Sequence, residues 1–212
     1  MKKIALSLIT AAFTLTALAN DKYQKAMLKN IPSVYSAETI EEHQKVVNNL
    51  TRIADAEKDK WEPYYYIAYS YVIMSFKEQE AGKKDQHLDL AQEALNKGTA
   101  VAPKESELIT LQGFIHTGRL SVDPMTRGAQ YSGAAMQTLN QALGLDPDNP
   151  RTLLLMGQMM YGAARFMGDG TGQACEMIGK SLEKFETFTS TNPLAPQWGK
   201  MQAEEALKGC NK

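Results

Sequence analysis

The sequence predicts an all-α protein, a short solenoid of antiparallel helix pairs finished by a closing helix. Three observations carry that expectation. Small and large apolar residues recur in a four-fold internal register, most copies carry a proline at the same place, and strand-type alternation is lacking over any useful length. A sandwich or a doubly wound sheet is thereby set aside.

The register is read from Ala91 to Pro103, Ala135 to Pro147 and Ser181 to Pro193. Each stretch begins with a small residue, places a large apolar side chain one turn on (Leu95, Leu139, Phe185), passes a further register position (Gly98, Ala142, Phe188) and ends at proline. Val46, Leu50 and Ile53 keep the same spacing upstream, with Lys58 in the proline slot. The copies recur about every 45 residues. After each turn comes a second mark, a small residue at Ala68, Gly113, Gly157 and Ala203, where two helix backbones can approach closely. Proline stops each second helix because its ring cannot continue the hydrogen-bond ladder.

Taken from the N-terminus, Lys2-Lys3, the apolar run Ile4 to Leu18 and the small-residue pattern Ala17-Leu18-Ala19 read as a bacterial-type signal peptide, cleaved before Asn20. The run is too short, and too interrupted by Ser7, Thr10, Thr14 and Thr16, for a membrane anchor. The expected layout is therefore a signal peptide over 1–19 and one helical-repeat domain over 20–212, periplasmic or secreted. A short helix is expected over 21–29 and a long one over 37–58, with Ser36 as its N-cap and Pro32 outside it. Helix pairs follow at 63–79 with 86–101, 105–119 with 131–145, and 150–167 with 173–190, and the closing helix over 196–209.

Over its 212 residues the chain has a formal net charge of −1 and no run of Lys or Arg. Nothing is thus set out to neutralise a phosphate backbone, and nucleic acid is a poor candidate partner. No second apolar stretch is long enough to span a bilayer. The only cysteines, Cys175 and Cys210, fall level across the turn at Pro193 if the last two helices form an antiparallel hairpin. Export permits a disulfide, and one is expected to staple the closing helix; the alternative is two unpaired thiols.

The order of small residue, large apolar residue, small residue and terminal proline resembles the tetratricopeptide (TPR) repeat. TPR units run to about 34 residues, so these copies are longer, and the extra residues fall at 76–87, 119–131 and 166–174, where loops or added turns are expected. The resemblance implies a concave surface lined by the first helix of each pair. Carried over one position at a time, it puts Tyr65 and Tyr69, then Thr110 and Phe114, then Arg151, Gln158 and Tyr161 on that surface as a partner-binding groove. Its aromatic residues would give large contact area at low entropic cost. Alternatively Tyr65 and Phe114 pack between helices, and the lengthened loops fold over the groove.

Several motifs invite a chemical reading. Ala174 to Ser181 fits a loose phosphate-loop pattern, but no strand precedes it and Ser181 falls on the repeat register. Gly168-Asp169-Gly170-Thr171-Gly172 could hold an anion or contribute to a calcium site, yet with one carboxylate it reads as an insertion loop. Met156, Met159, Met160, Met167 and Met177 have a spacing that suits core packing as well as thioether copper binding. His43, His87 and His116 lie on different helices and form no metal pair. No nucleophile elbow and no clustered acid–base set is found. Asn49-Leu50-Thr51 is a sequon set mid-helix, where glycosylation is not expected.

The functional expectation is an exported interaction module that holds a protein or peptide partner in its groove, with no catalytic, cofactor or metal site. A small-molecule binding accessory protein is the first rival and an enzyme the second.

Overall fold

The computed structural model describes residues 21–210, so the signal peptide expected over 1–19 lies outside the described residues. These hold helices and turns, with no strand among them. Helix α1 spans 21–36; α2 is Ile40–Ala56, α3 Glu62–Lys77, α4 Ala81–Val101, α5 Ser106–Val122, α6 Pro124–Leu145, α7 Pro150–Met167, α8 Gly172–Thr187 and α9 Lys200–Cys210. Successive helices pack on one another, and α3, α5 and α7 also touch in turn, so the pairs stack in order.

The register seen in sequence marks the packing. Ala68, Ala91, Ala135, Ser181 and Ala203 are fully buried, and so are Leu88, Leu108, Leu111 and Leu139. Each of those leucines contributes about 1.5–3 kcal/mol relative to exposure. A Cβ on Gly113 would lie 2.6 Å from Leu139, and one on Gly157 would lie 2.6 Å from Ile178 and 3.0 Å from its backbone nitrogen. The same tight turn recurs between pairs: Lys60 N–H donates to Glu57 C=O, Glu105 to Ala102, Asn149 to Asp146 and Ala195 to Asn192. Lys58, Pro103, Pro147 and Pro193 each occupy its second position.

Local sequence accounts for the ends. Thr39 caps α2 in a reciprocal capping box with Glu42, one turn later than the Ser36 expected from sequence. Asn149 Oδ1 accepts from the Arg151 and Thr152 amides at the start of α7, and Gly168 ends that helix in the left-handed region at φ 78°. Helix α3 is apolar nearly all round because it is covered on several sides.

Two expectations are corrected and one is resolved between its alternatives. Helix α1 runs through Pro32 rather than ending at 29; the proline withholds an amide from the carbonyl of Leu28, an exposed residue. Of the loops or added turns expected for the extra residues, the first two repeats take added turns, so α4 starts at Ala81 and a single residue, Asp123, separates α5 from α6, while the third keeps a short loop over 168–171 between α7 and α8. Asp123 caps α6 by accepting from the Thr126 amide, with Pro124 in the first turn. The closing helix begins at Lys200, not at 196, which leaves residues 188–199 as an irregular strap.

Candidate functional site

That strap crosses the concave face. Leu194, Pro196 and Trp198, alternate residues along it, are buried, while Pro193 and Gln197 face out. Polar side chains of α1 and α3 hold its backbone and side chains. Tyr66 Oη donates to Leu194 C=O at 2.8 Å, Tyr35 Oη accepts from the Gln197 amide at 3.0 Å, and Glu62 accepts from Asn192 Nδ2 at 3.1 Å. Trp198 Nε1 donates to Tyr65 Oη at 2.8 Å. Gly199 has φ 115°, and the Phe185 ring stands where a Cβ would have to go, so only glycine fits the corner into α9.

Beneath the strap lies a buried ion pair. Arg151 Nε donates to both oxygens of Glu107, at 2.8 and 3.0 Å, and Asn149 Nδ2 donates to Glu107 at 2.9 Å. The Phe188 ring covers the guanidinium at 4.5 Å. Burial opposes the charge on Arg151, and the adjoining Glu107 carboxylate outweighs it, raising the pKa. Burial likewise drives the Tyr65 phenol far above its ordinary value, with Glu107 adding to the shift, so it stays protonated.

Of the seven residues that the TPR resemblance puts in the groove, Tyr65, Tyr69, Thr110 and Arg151 are closed off from solvent. Thr110 bonds Thr152 across the α5–α7 contact at 2.6 Å. Phe114 and Tyr161 are half-buried and Gln158 is exposed. Tyr161 Oη donates to Gly209 C=O at 3.2 Å, which places the end of α9 beside α7.

A row of packed aromatic rings runs from beneath the strap out to the surface. Phe76 and Phe114 have ring centroids 5.4 Å apart and tilted by 32°. Phe114 stacks on Trp198 at 5.4 Å and 19°, and Trp198 meets Tyr69 at 5.3 Å and 31°. The inner end is sealed and the outer end is open, with Phe76 41 % exposed. Sequence reasoning reaches neither Phe76 nor Trp198, because the first falls in an expected insertion and the second in the expected closing helix. Met125, Phe166 and Met167 are exposed at the helix ends on the same side as Phe76.

The remaining motifs settle into the fold. Ala174 to Ser181 lies wholly within α8. Cys175 and Cys210 form a disulfide, with Cα atoms 5.8 Å apart. His43 is buried with neither ring nitrogen paired, His87 stacks on Tyr71, and His116 sits with Gln112 and Tyr131. No group of three or more His, Cys, Asp or Glu arranged for a metal occurs among the described residues. No described helix is long and apolar enough to cross a membrane.

No protein-family model matches the chain, and no curated protein does. Among solved structures it is similar to the HusA haemophore from Porphyromonas gingivalis, with a TM-score of 0.79 and 28 % identity over 89 % of this chain and 92 % of that one. It is also similar in fold to a thermophilic TPR protein of Thermus thermophilus, with a TM-score of 0.52 and 13 % identity over 93 % and 94 % of the two chains. The chain is a TPR-like all-α solenoid, as its repeat indicated.

Proposed function

We propose that this protein is an exported carrier of a flat, apolar macrocycle, a haem or related porphyrin, held on the aromatic row of its concave face. The observation that supports it is the row of Phe76, Phe114 and Trp198, tilted at its first contact and stacked at its second, and open at the Phe76 end. Offset aromatic faces at such spacings stack planar π systems and bury large apolar area. The likeness to a haemophore over most of both chains points the same way.

No histidine stands in that row. The binding chemistry is therefore stacking on the macrocycle rather than imidazole ligation of its metal, and metal-free protoporphyrin should bind as haem does. A threaded peptide is disfavoured on this face because Leu194 and Gln197 of the strap already take the backbone-reading hydroxyls of Tyr66 and Tyr35 that a peptide would need. Export rests on the Lys2-Lys3 and Ile4 to Leu18 signal, and a disulfide suits an oxidising compartment.

Titration of purified mature protein with haem and with protoporphyrin IX tests the reading. Saturable Soret-band shifts for both are expected. Spectra identical to those of the ligands in buffer, at protein concentrations above about 10 μM, would exclude it.

A further inference from the structure

We propose that the Cys175–Cys210 disulfide is a latch on the strap: closed, it keeps Trp198 in the aromatic row, and reduced, it lets Trp198 leave. The coupling to ligand rests on the porphyrin reading above, while the latch itself rests on the covalent path. The bridge closes a 35-residue stretch that contains the whole of 188–199 and α9. Its two ends are the first turn of α8 and the last residue of α9.

Apart from the bridge, α9 is held by its packing on α8, the Tyr161–Gly209 hydrogen bond and the Lys200–Glu186 ion pair. It has eleven residues and buries only Ala203 fully, and a helix of that length has marginal stability of its own. Trp198 precedes it by two residues, through the corner at Gly199. The strap has no regular structure and is seated by Leu194, Pro196, Trp198 and a few hydrogen bonds. Loss of the tether at Cys210 therefore frees α9 first, and with it the corner that aims Trp198 at Tyr69 and Phe114. Both cysteines are half-buried.

A dithiol reductant carries out the exchange. One reductant thiolate attacks Cys210 Sγ and expels Cys175 as thiolate, which takes up a proton. The second reductant thiol then attacks the mixed disulfide, releasing Cys210 as thiol and leaving the reductant as its disulfide. Two electrons and two protons pass from reductant to protein.

The test uses a Trp61→Phe variant of the full mature chain, so that emission reports Trp198 alone. Dithiothreitol is added until two thiols titrate, and Trp198 emission and protoporphyrin IX affinity are followed. Reduction is expected to red-shift the emission and weaken protoporphyrin binding by about tenfold or more. The Cys175→Ser/Cys210→Ser double variant should reproduce both changes, and if it loses helix the reduced Trp61→Phe protein carries the test alone. Unchanged emission with both thiols free overturns the latch, and a red shift with unchanged affinity overturns its coupling to the site. A red shift in a protein that binds protoporphyrin in neither form upholds the latch and removes the porphyrin reading instead.

Discussion

Arg151 and Glu107, on consecutive first helices, form a two-oxygen ion pair of which the arginine is 1 % exposed. The pair sits where α5, α7 and the strap meet, with Asn149 and Tyr65 donating to the same carboxylate. A buried charge that loses its partner retains its desolvation penalty, so Arg151→Met should lower stability by about 3–5 kcal/mol in urea unfolding. Arg151→Met combined with Glu107→Leu should recover much of that loss, because no unpaired charge remains. A double variant as unstable as the single one would show that the pair is needed for shape rather than for charge balance.

Two glycines on α7 should respond with opposite sign to the same change. Gly157→Ala drives a Cβ against Ile178 and its backbone nitrogen, where nothing soft can move. Overpacking of that kind costs about 1–3 kcal/mol, more than the helix propensity that alanine returns. Gly162→Ala meets nothing within 4 Å and should stabilise by about 0.5–1 kcal/mol. Thermal melts of the two variants that shift in the same direction would contradict the close approach at the α7–α8 contact.

That contact also shows how far the fold is legible in the sequence. The small residue at 157 belongs to a register that spacing alone reveals, because close helix approach requires a missing side chain at a fixed place, but its partner Ile178 does not, since the register marks Phe185 as the large residue of that helix. The disulfide follows from the same logic, since two positions level across a hairpin must meet. The strap does not. Pro196 suits the first turn of a helix as well as it suits an irregular segment, so the local pattern admits a helix from 196 onward. What decides against it is long-range: outside the helix, Trp198 gains Tyr65, Tyr69 and Phe114 as neighbours. Local pattern holds no trace of an interaction across 133 residues, and so the groove implied by the repeat lacks its cover.

Acid should weaken the fold through the buried imidazole of His43 and the half-buried ones of His87 and His116. Burial lowers the His43 pKa below the usual 6.5, with Lys77 adding to the shift, while Glu42 and the Ala37 backbone oppose it. His87 and His116 are lowered by burial too. A group whose folded pKa lies below its unfolded one binds more protons when unfolded, so its contribution is fully present above pH 6.5 and is lost as pH falls through the folded value. Stability measured by urea should therefore fall below that pH, and His43→Leu should flatten the slope. An unchanged slope in that variant would assign the acid sensitivity to other groups.

The aromatic row and the apolar helix ends offer two places for a macrocycle, and one pair of variants separates them. Phe114 is the middle of the row, with Phe76 on one side and Trp198 on the other, so truncating it removes a ring face and breaks the continuity of the stack. Phe166 is 76 % exposed on the last turn of α7 and has no aromatic neighbour among the described residues. A lost aromatic contact is worth about 0.5–1.5 kcal/mol beyond the area it buries, and the two terms together put Phe114→Ala at about tenfold or more in protoporphyrin affinity. Phe76→Ala should have a similar effect, since it shortens the exposed end, while Phe166→Ala should leave affinity within about twofold. Circular dichroism of each variant checks that the helices persist. If Phe166→Ala weakens binding and Phe114→Ala does not, the ligand sits at the open helix ends, and the stacked row is part of the core that supports the strap.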